Sequence, residues 1–99
     1  IRIAIDDVNF RDEYTITWFK NGVRITSGIT SPTIQVIRRS NGTDLISSTA
    51  MTEIGSTASY KYDESTNRIT AGEAVVGVVS ATIDGLSRSF AAVLNRDVV

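Results

Sequence analysis

Residues 14–25, YTITWFKNGVRI, show the strand and turn pattern that recurs along this chain. Tyr14, Ile16 and Trp18 alternate with threonines, so they share one face of an extended strand while the threonines share the other. Asn21-Gly22 follows as a candidate type I′ turn, since both central positions of that turn need a positive φ. A second apolar alternation begins at Val23. The stretch therefore predicts two strands joined by a tight turn.

The only tryptophan of the chain lies just before this turn. Because Trp18 shares its face with Tyr14 and Ile16, we expect a core tryptophan between two sheets, more than three-quarters buried. Phe19 points the other way, so we expect it to be exposed and available for a contact with another element or protein.

The rest of the sequence repeats this pattern, and no window shows a sustained apolar period of 3.6 residues. Asn41-Gly42 and Asp84-Gly85 are further candidate type I′ turns, and Pro32 is predicted in a loop. Residues 45–55 could hold a short helical turn, but their serines and threonines favour strand or loop. Nine strands are predicted, at 1–6, 13–20, 23–27, 33–39, 43–47, 50–54, 57–62, 73–83 and 86–94.

Many short strands separated by turns predict an all-β fold, a two-sheet antiparallel sandwich of about seven to nine strands. Residues 74–83, AVVGVVSATI, are apolar on nearly both faces, which places them at the centre of a sheet. The length of 99 residues predicts a single domain over 1–99. Because the chain starts at Ile1, we expect a processed product or a segment of a longer polypeptide.

Composition narrows the function classes. The chain has neither cysteine nor histidine, which argues against disulfides, Ser-His-Asp or Cys-His catalysis and nearly all zinc and haem sites. Its net charge of -1 argues against nucleic-acid binding, and no apolar run is long enough to cross a bilayer. We therefore predict a non-enzymatic protein with no catalytic, cofactor-binding or metal-binding residues.

Trp18-Phe19-Lys20-Asn21-Gly22 resembles a segment of immunoglobulin-like domains, in which a buried tryptophan on the third strand precedes a hairpin. The D-x-G-x-Y-x-C element of that family would fall on residues 70–76, TAGEAVV, where Ala74 and Val76 replace the tyrosine and the cysteine. Residues 82–90 resemble the hairpin between the last two strands. The resemblance implies an immunoglobulin-like or related Greek-key sandwich that lacks the disulfide and the tyrosine corner.

The chain also resembles, in the style of its strands and turns, small β-domains of bacteriophage virion proteins from tails, fibres or capsid decoration. It is similar as well to macroglobulin-type and prealbumin-like sandwiches of bacterial surfaces. The positions that carry this likeness are Gly55, Tyr60, Tyr62, Gly72 and Glu73. This resemblance implies a structural domain of a virion or an extracellular surface.

The acidic stretch from Asp6 to Glu13 is the one candidate cation site. It offers hard oxygen ligands for calcium at Asp6, Asp7, Asn9, Asp12 and Glu13. The spacing matches no calcium-binding loop, and Arg11 neutralises part of the charge. We favour a solvated loop whose Asp and Asn side chains cap turns.

Three other groups of residues have both a functional and a structural interpretation. Tyr60 and Tyr62 share one face of a strand and could stack on a sugar or a partner, although core packing is favoured. Arg24, Arg38 and Arg39 could form a basic stripe, although a solvated face is favoured. Residues 41–43 form a glycosylation acceptor sequence that turn chemistry already explains.

These patterns predict a structural or assembly domain that works through contacts with protein subunits in a symmetric oligomer. The predicted setting is a virion or an extracellular surface. Sheet edges, exposed apolar residues and the tail 95–99 would make the contacts. The alternative is a cell-surface module that binds carbohydrate or protein through loops 27–33, 40–44 or 63–72 and exposed aromatic residues.

Overall fold

A computed structural model describes residues 2–6, 11–70 and 72–95, and this part of the chain is all-β. Every strand pairing in it is antiparallel. The ten strands of the described residues are β1 (Arg2–Asp6), β2 (Arg11–Thr17), β3 (Phe19–Lys20), β4 (Val23–Arg24), β5 (Ile29–Arg38), β6 (Asp44–Ala50), β7 (Thr52–Glu53), β8 (Ser59–Glu64), β9 (Ala74–Ile83) and β10 (Leu86–Asn95).

The strands form two four-stranded sheets and a small hairpin. The first sheet has the order β1-β2-β8-β7, the second has the order β10-β9-β5-β6, and among the described strands β3 pairs only with β4. The chain crosses between the two sheets after β4, β6 and β8. One apolar core joins side chains of both sheets, which confirms the predicted antiparallel sandwich. Its buried members are Tyr14, Ile16, Ile34, Val36, Leu45, Ile46, Met51, Tyr60, Ile69, Val75 and Val79.

Strand β9 lies inside its sheet, between β10 and β5, as its apolar sequence predicts. Alternate residues of β9 are buried, and Val75 and Val79 are fully so. Val76, the position that the resemblance to immunoglobulin domains assigns to the cysteine, is only half-buried. The neighbouring Val75 fills the core instead.

Two of the three predicted type I′ turns are confirmed. Asn21 and Gly22 have φ values of 52° and 79°, and Asp84 and Gly85 have φ values of 50° and 80°. The third prediction is wrong, because only Gly42 has a positive φ in its turn. A longer loop forms there, in which Gly42 N–H donates to the Arg38 carbonyl at 2.9 Å.

The prediction of a loop at Pro32 is also wrong, because Pro32 lies within β5. Ser31 has a φ of 51°, and the pairing of β5 with β9 shifts register between Thr30 and Thr33. Such a bulge leaves a residue outside the ladder, so the missing N–H of proline removes no strand hydrogen bond. The Pro32 carbonyl accepts a hydrogen bond from Met51 N–H at 2.9 Å.

Trp18 interrupts the strand ladder between β2 and β3. It packs against the core but is only partly buried, and its carbonyl accepts a hydrogen bond from Ile25 N–H at 2.9 Å. It therefore follows the second strand, whereas the resemblance to immunoglobulin domains implied the third. Phe19 is 61% exposed, as predicted.

Candidate functional site

The acidic stretch is not the solvated loop that we favoured, at least at Asp12 and Glu13, which lie in β2. Asp12 is fully buried; Arg68 Nε donates to its Oδ1 at 3.1 Å and Ile69 N–H to its Oδ2 at 2.7 Å. Glu13 pairs with Arg11 at 3.0 Å. Asp7 and Asn9 lie outside the described residues. No group of three potential metal ligands occurs in the described ranges, so the calcium site gains no support from them.

A second buried carboxylate lies beside Asp12, because Glu64 is its cross-strand partner on β8. Glu64 accepts hydrogen bonds from the Tyr62 hydroxyl at 2.9 Å and from the N–H groups of Thr66 and Asn67 at 3.0 and 3.1 Å. Burial acts to raise the pKa of Glu64, but these hydrogen bonds outweigh it and leave the pKa below its ordinary value. The hydrogen bonds of Glu64 and the Asp12–Arg68 ion pair together hold the connection from β8 to β9 in place. We assign this cluster a structural role.

The two tyrosines of β8 belong to the core. Tyr60 is buried, and Tyr62 is partly buried against the core and bonded to Glu64. The favoured interpretation is confirmed, and Tyr60 and Tyr62 do not form an exposed stacking platform.

The three arginines of the possible basic stripe have separate surroundings. Arg24, in β4, donates to the carbonyl of Thr57 and to Ser59 Oγ, so it fastens the β3–β4 hairpin to the start of β8. Arg38 forms an ion pair with Glu73 at 2.5 Å, and Arg39 is exposed in the following loop. The structure does not bring them together into one basic surface.

Uncovered apolar side chains concentrate on β10. Leu86 and Phe90 are 57% and 54% exposed. They pair with Ile83 and Val79 of β9, both of which are buried, and directly opposed residues of an antiparallel pair share one face of the sheet. Leu86 and Phe90 therefore stand on the core-facing side of the sheet, and yet more than half of each is exposed.

A groove of about 550 Å³ opens at this place. Its walls are the end of β2 with the β3–β4 hairpin on one side and the β9–β10 hairpin on the other. Its apolar lining consists of Ile16, Trp18, Phe19, Ile25, Ile83, Leu86 and Phe90, and Lys20, Asp84 and Arg88 add charge. The indole Nε1 of Trp18 is buried and has no hydrogen-bond partner among the described residues.

The β9–β10 turn, which forms one wall of the groove, is held by close contact between its backbone and the β4–β5 connection. Asp84 N–H donates to the Gly28 carbonyl at 3.0 Å. Gly28 has a φ of 77°, and a Cβ at this position would lie 2.2 Å from Asp84 Oδ1. Only glycine fits here without strain, so this residue sets how closely the β4–β5 connection meets the turn.

The sheet edges differ in how well they are protected against further pairing. β7 has only two residues, and the pairing of β6 with β5 is irregular, with register shifts after Ile34 and Val36. β10 has ten residues in unbroken register with β9, no proline, and Arg88 as its only charged residue. Short, bulged or charged edges resist pairing with another chain, whereas β10 is long and unbulged and carries a single charge.

The sequence patterns do not predict the groove beside β10. The alternation in residues 86–94 predicts a strand with one buried face, and the sequence does not reveal that the opposite sheet leaves Leu86 and Phe90 uncovered. The exposure of Phe19 was the only part of the groove that the sequence predicted.

Comparison of the chain with protein families, with curated proteins and with solved structures finds no match. The described residues contain no helix long and apolar enough to span a membrane.

Proposed function

We propose that this chain is a non-enzymatic structural or assembly domain, which acts through contacts with protein subunits in a symmetric oligomer. The observation that carries the proposal is the uncovered core-facing side of β10, where Leu86 and Phe90 stay more than half exposed beside the groove. The absence of cysteine and histidine from the sequence supports a non-enzymatic role. The net charge of -1 supports a protein partner over a nucleic acid.

The size of the uncovered surface supports a contact function. Phe19 and Phe90 together expose about 170–290 Å² of apolar side chain, since an aromatic side chain has about 150–250 Å² to bury, and Leu86 adds to this surface. Contiguous patches of about 300–600 Å² are the largest on typical monomers and are often functional. Burial of such a patch against a partner is favourable at about 25 cal/mol per Å².

We also propose the setting, a virion or an extracellular surface fibre, and an immunoglobulin-like Greek-key topology. The setting rests on the resemblance in strand and turn style and stays a prediction. The topology is supported by the sheet orders β1-β2-β8-β7 and β10-β9-β5-β6, with a chain that crosses between sheets three times. Immunoglobulin-like sandwiches divide their strands between two sheets in this way.

Light scattering coupled to size exclusion tests the proposal. We expect a mass above the monomer value of 10.7 kDa that increases with concentration. Phe90→Ser should shift the population toward monomer, because it removes the apolar contact without removing a core side chain. Val23→Ser is the matched control, because Val23 is exposed but does not line the groove. A monomer at all concentrations, or equal effects of the two variants, would overturn the proposal.

A cell-surface binding module remains the second candidate, and the aromatic lining of the groove favours it. Trp18, Phe19 and Phe90 could stack against a sugar ring or an apolar side chain. The loops at the sheet ends receive less support, because residues 29–33 of the first predicted loop lie in β5. A monomer that binds on a glycan array, with binding lost in Phe19→Ala and kept in Tyr62→Phe, would favour this candidate.

A further inference from the structure

We propose that the partner of this surface is a second copy of the same chain, paired antiparallel along β10 with a two-fold axis at Phe90. The two β10-β9-β5-β6 sheets would then form one continuous eight-stranded sheet. This inference rests on the proposed assembly function and names its interface.

The free edge of β10 has the hydrogen-bonding groups for such a pairing. Because Asp84-Gly85 is a two-residue turn, Ile83 and Leu86 form a hydrogen-bonded pair, and such pairs recur at every second residue of β10. The residues between them direct their N–H and C=O groups away from β9. These residues are Ser87, Ser89, Ala91 and Val93, and no described strand pairs with them on that side.

The position of the two-fold axis at Phe90 follows from the length and sequence of β10. Phe90 is the central residue of 86–94, so an axis there pairs all nine residues with their counterparts. The two Phe90 side chains then meet as a directly opposed aromatic pair, an arrangement that stabilises antiparallel strands. Leu86 meets Leu94 of the second copy on the same face. On the other face, Ser89 and Ser87 form hydrogen-bonded pairs with Ala91 and Val93.

Charge also favours this register. With the axis at Phe90, Arg88 lies opposite Ala92 of the second copy, and no like charges meet along 86–94. With the axis at Arg88, the two guanidinium groups would oppose each other directly, which is destabilising. An axis at Ser89 or Ala91 would separate the two phenylalanines. The Phe90 axis alone pairs the whole segment, joins the aromatic rings and keeps the arginines apart.

The extent of the contact predicts a weak dimer. Nine paired residues span about 30 Å at about 3.4 Å per residue. The surface buried by a single strand edge with the adjoining groove wall is at the low end for specific interfaces, about 1,200 Å² in total. The dimer should therefore dissociate on dilution, and it should be seen at high protein concentration.

Cysteine cross-linking tests the register, since the natural chain has no cysteine. Opposed residues of a non-hydrogen-bonded pair have Cα atoms about 4.5 Å apart, within the reach of a disulfide. We expect a mixture of Arg88→Cys and Ala92→Cys chains to form a disulfide-linked heterodimer under mild oxidation. Each variant alone serves as its control, because its two cysteines would lie about 14 Å apart, four residues along the strand. The cross-linked fraction of the mixture should exceed that of either control at least tenfold.

A proline substitution tests the edge independently. Ala91→Pro removes an N–H that points away from β9, so the β9–β10 ladder keeps its hydrogen bonds while the outer edge loses a donor. We expect the variant to stay folded by circular dichroism and to sediment as a monomer. Ala91→Thr is the matched control, since it keeps the N–H, and it should still associate.

The outcomes separate this inference from the proposed function. Selective cross-linking of the mixture together with a monomeric Ala91→Pro supports the pairing. A wild-type oligomer without selective cross-linking, or one that survives Ala91→Pro, would overturn the β10 pairing and leave the assembly function standing. A wild-type chain that stays monomeric at millimolar concentration would overturn both.

Discussion

Replacing Arg68 with methionine should destabilise the fold by an amount that the structure allows us to estimate. Asp12 is fully buried, and Arg68 Nε lies 3.1 Å from its Oδ1, with 18% of the arginine side chain exposed. Arg68→Met would leave the Asp12 carboxylate buried with its neighbouring cation gone. Loss of one partner of a buried ion pair costs about 3–5 kcal/mol, and the partial exposure of Arg68 places the value near the lower end, about 3 kcal/mol.

This loss is large for a domain whose total stability is about 5–15 kcal/mol. At about 4–8 °C per kcal/mol for a chain of this size, the Tm should fall by about 12–24 °C. Urea denaturation followed by circular dichroism and by the fluorescence of the single Trp18 measures the change. Protein concentration has to be held low and constant, because association would add to the apparent stability.

Two further variants make the test specific. Lys61→Met removes an exposed ion pair with Asp63 at 3.6 Å and should change the free energy of unfolding by less than about 1 kcal/mol. Asp12→Asn keeps an acceptor for Ile69 N–H, and the double variant Asp12→Asn/Arg68→Met should lose less than the sum of the two single losses. If Arg68→Met lies within about 0.5 kcal/mol of the wild type, or if the two losses simply add, the role of this buried pair is refuted.

Three other predictions concern the turn and the titrating groups. Gly28→Ala should destabilise the fold by more than about 1 kcal/mol, since its φ is positive and its Cβ would meet Asp84; an unchanged Tm would contradict this. Because the folded pKa of Glu64 is lowered, its stabilisation is present above the unfolded pKa and is lost as the pH falls through the folded value. Glu64→Gln should therefore flatten the loss of stability as the pH falls below the ordinary glutamate pKa of 4.5, and an unchanged curve would count against this. Burial first, and then the charges of Asp12 and Glu64, raise the pKa of Tyr14 above its ordinary value of 10.0. The neutral Tyr14 side chain therefore contributes its full stabilisation below pH 10, and this stabilisation is lost as the pH rises further. Tyr14→Phe should flatten that alkaline loss, and it should be nearly neutral at pH 7 because the Tyr14 hydroxyl has no hydrogen-bond partner among the described residues.

Local chemistry explains which parts of the fold could be predicted from the sequence. Asn21-Gly22 and Asp84-Gly85 dictate their own turns, because few residues adopt a positive φ at two successive positions. Residues 74–83 are apolar on nearly both faces, and this correctly predicts a strand at the centre of a sheet. At Pro32 the local rule failed, because the bulge that accommodates proline depends on how β5 pairs with β9.

The candidate site depends on tertiary packing, which sequence patterns do not contain. The local sequence predicts a turn residue at Asp12, because the cation that pairs with it, Arg68, lies 56 positions away in the chain. Leu86 and Phe90 alternate like core residues, and their exposure follows from how far the opposite sheet extends over β10. Of the exposed side chains in the groove, the sequence predicts only Phe19, since its neighbour Trp18 takes the buried side of the strand.

Amide hydrogen exchange at two protein concentrations reports both association and its location, so it is a direct test of β10 as the contact surface. We expect exchange in residues 86–94 to slow at least several-fold on going from micromolar to millimolar protein, with the amides of Ser87, Ser89, Ala91 and Val93 affected most. Exchange in β6, at the other edge of the same sheet, should stay unchanged. Concentration-independent exchange in β10, or protection that develops on β6 instead, would contradict the claim that the uncovered edge at Phe90 is the contact surface of this domain.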